Sequence, residues 1–134
     1  MRRQAVLSAE NPLALQAIIG EPALDAGTGG QAVMAGQLRR LTEHAQRPAV
    51  TLQVLPRGHT YPGAHGAFGI FRLAGADVHD VGYAETVAGV VYLERKDDLT
   101  KAEATFSHIR SMAMPPGESL ELIREAARCA AVAA

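Results

Sequence analysis

Cysteine is almost missing from this sequence: Cys129 is the one cysteine in 134 residues. That excludes an internal disulfide framework and any cysteine-rich zinc module. A surplus of charge of one sign is missing too. Lys plus Arg number 13 against 14 for Asp plus Glu, a formal net charge of -1, whereas a dedicated nucleic-acid binder needs a cationic excess for phosphate contacts. The apolar runs are short, so no segment is expected to span a bilayer. The start, Met1-Arg2-Arg3-Gln4, is basic but is not followed by the apolar stretch of a signal peptide. A cytoplasmic location is therefore expected. There is no internal repeat and no low-complexity linker. With 48% apolar and 20% charged residues the chain is globular, and its length suits one domain over residues 1–134 with a single core.

Two periodicities organise the first half. Leu13 to Ile19, bounded by Asn11-Pro12 and Gly20, predicts a buried strand. Glu21-Pro22-Ala23-Leu24 suits one helical turn with Pro22 at its first position, and Gly27, Gly29 and Gly30 break the chain before a helix. Those glycines match neither a GxGxxG fingerprint nor a phosphate-binding P-loop, and a plain turn is expected. From Gln31 to Gln46, Met34, Leu38, Leu41 and Ala45 recur at helical spacing, and Arg47-Pro48 ends the pattern. Val50-Thr51-Leu52-Gln53-Val54 then alternates as a strand with one apolar face. Strand, helix, strand over this length predicts a crossover unit with two parallel strands.

The second half predicts strands over 67–73, 82–86 and 90–94, antiparallel because their links are short, with a turn at Val87-Ala88-Gly89. Asp97 or Asp98 can cap a helix carrying Leu99, Ala102, Phe106, Ile109 and Ala113 on one stripe. After Pro115-Pro116-Gly117, a last helix over 118–133 turns Leu122, Ile123, Ala126 and Ala130 inward. Ser119 falls in its first turn, where a hydroxyl can reach backbone, and Cys129 reads as a small buried hydrophobe. The expected fold is α/β, or α+β: a mixed sheet of about five strands, with the crossover helix and two C-terminal helices covering it.

The residues with chemical potential gather around Pro56–Gly66, a Gly- and Pro-rich loop after a parallel strand, where open α/β sheets often place ligands. It holds Arg57, His59, Tyr61 and His65. The histidine spacing fits no metal motif, and neither metal nor cofactor is expected. Glu21 directly follows the first strand and can cap backbone amides or face a ligand. Glu85 sits in an apolar strand, either on a core-facing side with a partner or, with the register inverted, facing solvent. Glu21, Arg57, His59, Tyr61, His65 and Glu85 are the ligand-binding candidates, and His59, His65 and Glu85 are the acid–base candidates if the chain is an enzyme. No complete catalytic constellation is visible.

Several stretches read in order carry a resemblance. They are Arg3-Gln4-Ala5-Val6-Leu7, Ala17-Ile18-Ile19-Gly20-Glu21-Pro22-Ala23-Leu24, Gly30-Gln31-Ala32-Val33-Met34 leading into Gln37–Leu41, Val50–Pro56, His65-Gly66-Ala67-Phe68, Tyr83-Ala84-Glu85-Thr86 and Glu118–Ile123. Together they resemble the C-terminal domain of actinobacterial Xre-type helix-turn-helix regulators of the antitoxin-like kind, over almost the whole chain. The resemblance implies a domain that senses a small molecule or a small partner protein. It supplies no catalytic residues. The helix-turn-helix itself is not in this sequence, so no DNA binding by the chain alone is expected. Homodimerisation is expected, to bury apolar surface that the family's preceding segment would cover. The competing expectation is a small metal-free enzyme reusing the same domain.

Overall fold

A computed structural model of the chain describes residues 2–7, 9–25, 29–60, 66–75 and 77–134. They form two compact units, one built from residues 1–57 and 112–134, the other from 58–111.

The first unit is the crossover. Strand β1 (Leu15–Gly20) lies parallel to β2 (Val50–Leu55), with Leu15 opposite Val50 and Gly20 opposite Leu55. Helix α1 (Gln31–Ala45) connects them, as the change of period from 3.6 to 2 predicts. Gly30, the residue before α1, has φ +87°, and Gly29 has φ +85°. This left-handed entry is what a glycine pair permits and a side chain would strain. Along β2, Val50, Leu52 and Val54 are buried while Thr51 and Gln53 are half-buried. The last helix, α3 (Pro116–Val132), packs on α1, and both pack on β2. Leu38, Leu52, Val54, Ile123, Ala127 and Ala130 form the heart of this core. Leu122 and Ala126 lie against it, half-buried. Cys129 departs from expectation: it is exposed. It shares its side of α3 with Glu125, four residues earlier, whose carboxylate it meets.

A two-stranded parallel sheet leaves the far edge of β2 needing partners. The link into α3 supplies them. Met114 N–H donates to Val54 O (2.8 Å), Val54 N–H donates to Ser119 Oγ (2.9 Å), and Gln53 Nε2 donates to Met114 O (2.9 Å). Ser119 Oγ also donates to Met114 O at 3.2 Å. The Ser119 hydroxyl thus reaches backbone as anticipated, and it reaches a strand 65 positions away.

The second unit holds an antiparallel sheet ordered β3 (Phe68–Phe71), β4 (Val81–Thr86), β5 (Gly89–Leu93), followed by α2 (Lys96–Met112). The five strands and the mixed α/β class stand as read, but the strands are divided between two sheets instead of joining one mixed sheet. In the parallel pair, the free edge of β2 at Val54 is taken by Met114 and Ser119 instead of by another strand. At the turn, Ala88 N–H donates to Thr86 Oγ1, which donates to Gly89 O. Helix α2 begins at Lys96, one residue before the expected capping aspartates. Asp97 and Asp98 therefore sit inside its first turn, still at the end where carboxylates are favoured. Leu99 of α2 approaches Gly82. On the other side of the sheet, Phe71 stacks on Tyr83 with ring centroids 5.8 Å apart, and Tyr92 lies opposite Tyr83.

Gly66 is held close to β4, where an added Cβ would overlap the Glu85 carbonyl oxygen. Gly66→Ala is expected to destabilise by about 1–3 kcal/mol, the range for forced overpacking. Gly117 in the first turn of α3 has open space and no positive φ, so Gly117→Ala should stabilise by about 0.5–1 kcal/mol. Urea-melt midpoints of the two variants should move in opposite directions. A Gly66→Ala midpoint equal to the parent's would contradict the close approach.

Candidate functional site

Parallel pairing fixes what meets at the carboxyl end of the first sheet. Since Gly20 is opposite Leu55, Glu21 leaves β1 level with Pro56, and Arg57, one residue further, comes within reach of it. Glu21 Oε2 accepts the Arg57 backbone N–H at 3.0 Å, and Oε1 accepts Arg57 Nε at 3.3 Å. The same guanidinium pairs through Nη2 with Asp25, at the end of a short 3₁₀ turn over Glu21–Leu24. One arginine therefore clamps two carboxylates. Its planar fork suits this role, where a lysine would be a single point charge. Glu21 serves as this anchor and does not cap the turn, whose preceding residue is Gly20 without a side-chain bond.

Beside the clamp opens a cleft of about 400 Å³. Leu24, Met34, Leu122, Ala126 and Ala130 supply its apolar lining, and Glu21, Asp25, Gln31, Glu125 and Cys129 its polar one. Glu125 takes hydrogen bonds from Arg128 Nε at 3.0 Å and from Arg128 Nη2. That hydrogen bonding, together with the arginine's charge, holds the Glu125 carboxyl below its ordinary range and pushes Arg128 up. Glu125 thus stays ionised through mildly acidic pH. The Cys129 thiol lies 3.7 Å from the other Glu125 oxygen.

Of the residues singled out from sequence, Glu21 and Arg57 are brought together. Glu85 belongs to the second unit, exposed on β4, so the solvent-facing alternative holds. It borders a smaller concavity of about 290 Å³ with Asp98, Lys101 and Thr105. His59 is exposed. Tyr61 and His65, like Gly27, lie outside the described residues. Among the described residues no group of three or more His, Cys, Asp or Glu is placed to hold a metal ion. No helix among them is long and apolar enough to cross a membrane.

Sequence reasoning missed Asp25, Glu125 and Cys129. A signal for Asp25 was present: it follows Glu21 by four residues, one turn further along the same short helical segment. Glu125 and Arg128 have the i,i+3 spacing of a helix-surface ion pair, but nothing in that spacing tells which side of α3 is concave.

The first unit is thus a parallel crossover with an ion-paired cleft beside the end of β1. The chain belongs to the family described as Domain of unknown function (DUF5753), which matches residues 1–125. No curated protein and no solved structure matches it.

Proposed function

We propose that this chain is the sensing domain of an antitoxin-like transcriptional regulator. It binds a small molecule, or a small partner protein, and does not bind DNA itself. The observation that carries the reading is the Arg57 clamp on Glu21 and Asp25 beside an apolar-lined cleft. Apolar walls supply affinity, while a few fixed polar groups at the rim supply orientation, the usual division of labour in a small-molecule site. The ordered resemblance of Arg3–Leu7, Ala17–Leu24, Val50–Pro56 and Glu118–Ile123 to Xre-type regulators supports the regulatory setting, and the formal net charge of -1 agrees with a role other than DNA contact.

The test is to incubate the purified chain with a small-molecule cell extract, isolate it by gel filtration and identify what it retains by mass spectrometry. The expected result is a compound that dissociates unchanged and whose retention falls several-fold in Asp25→Asn, a residue of the cleft lining, since a rim group orients without carrying the whole affinity. A retained compound released as a chemically different product would overturn the sensing role in favour of an enzyme. Retention of nothing, together with a nanomolar, sequence-dependent mobility shift on DNA, would overturn it as well.

A further inference from the structure

The charges around the first cleft are lopsided. Glu21, Asp25 and Glu125 line it, and among the described residues no lysine, arginine or histidine does. Two arginines answer three carboxylates from outside the lining: Arg57 for Glu21 and Asp25, Arg128 for Glu125. The group is one positive charge short of neutral. Helix ends do not change this balance. Gln31, the first residue of α1, and Ala133, just past α3, both line the cleft. The partial charges of about +0.5 and -0.5 at these ends oppose each other. The walls between the carboxylates are hydrocarbon from Leu24, Met34, Leu122 and Ala126. About 400 Å³ falls at the lower end of the range that holds small organic ligands.

We infer that the ligand of this cleft is a small organic monocation with an apolar body, an alkyl- or arylalkyl-ammonium or guanidinium. Its cationic head takes the place between Asp25 and Glu125, and its hydrocarbon lies on the Leu24, Met34 and Leu122 side chains. This inference rests on the sensing reading and specifies the chemistry of its ligand. A guanidinium head can share Asp25 with Arg57, because a carboxylate offers about four lone-pair sites. The neighbouring arginines remain paired, so binding adds the missing charge without exchanging one arginine for another. A carboxylate-bearing ligand of the same size would add to the net negative charge of the group instead of cancelling it.

Cys129 provides the readout. It lines the cleft, is exposed, and is the one cysteine of the chain, so its rate of alkylation by N-ethylmaleimide, a neutral reagent, reports occupancy. The rate is measured with hexylguanidinium, hexanoate or hexanol at equal concentrations. Hexylguanidinium should protect the thiol, with an apparent affinity at least about fivefold above those of hexanoate and hexanol, the scale of one favourable ion pair at a partly exposed site. Asp25→Asn combined with Glu125→Gln should remove that advantage, and Glu43→Gln, an exposed change further along α1, should retain it. Equal protection by all three compounds, or better protection by hexanoate, would overturn the monocation while leaving a small-molecule cleft in place. Protection by none would remove both the monocation and the cleft as the sensing site.

Discussion

Ile123→Ala is expected to destabilise the first unit by about 2–5 kcal/mol, the range for removing a large aliphatic side chain from a packed core. Ile123 is fully buried, and it belongs to the cluster that joins α1, β2 and α3. Two of those elements come from the first part of the sequence and one from its last part, so the cavity weakens the core that joins both parts of that unit. The melting temperature should fall by roughly 10 °C for a chain of this size. Amide exchange should accelerate most in β2, α1 and α3. A loss under about 1 kcal/mol, within the spread for ordinary surface changes and mild core swaps, would mean that Ile123 is not packed between these elements.

Ser119→Ala should cost about 1–3 kcal/mol, although it removes a single oxygen atom. The hydroxyl is fully buried and is the acceptor for Val54 N–H. Without it that amide is left unpaired in the core, where water cannot replace the bond. The Met114 carbonyl is affected less, since Gln53 Nε2 still donates to it. Ser111→Ala is the matched control. Its hydroxyl also donates to a carbonyl, that of His108, but it is exposed, and the change should stay within about 0.5 kcal/mol. Chemical denaturation of the three proteins decides the matter. Equal midpoints for Ser119→Ala and the parent would show that Val54 N–H finds another partner.

The crossover was legible because its elements carry contrasting periods. Met34, Leu38 and Leu41 repeat every three or four residues, and Val50, Leu52 and Val54 every two. Once β1 and β2 are parallel, Glu21 and the Pro56-Arg57 stretch leave the sheet at the same end, which brings Glu21 within reach of Arg57. The division into two sheets was not legible. Alternation tells which side of a strand is apolar but not which strand it joins, and the groups that close the edge of β2 come from Met114 and Ser119, remote in sequence. The cleft was hidden for a related reason. Its walls are contributed by the 3₁₀ turn, α1 and α3, and the alanines of α3 read alike whether they face a core, a cavity or solvent. Glu85 was ambiguous because a single charge in a short apolar strand fits either register, and the pairing that decides it, Glu85 opposite Val90, is a tertiary fact.

The first unit is discontinuous along the chain: residues 58–111 are spelled out between its two parts. Synthesis on the ribosome proceeds from the amino end at about 5–20 residues per second. The β3–β5 sheet and α2 can therefore close while β2 still lacks Met114 and Ser119 along its edge. During that interval the nascent chain exposes the apolar side of α1 and the bare backbone of Val54. That transient is where a chaperone, or a stray strand from another molecule, has its opening, and it ends when α3 emerges. Helix α3 is thus the element that completes the first unit.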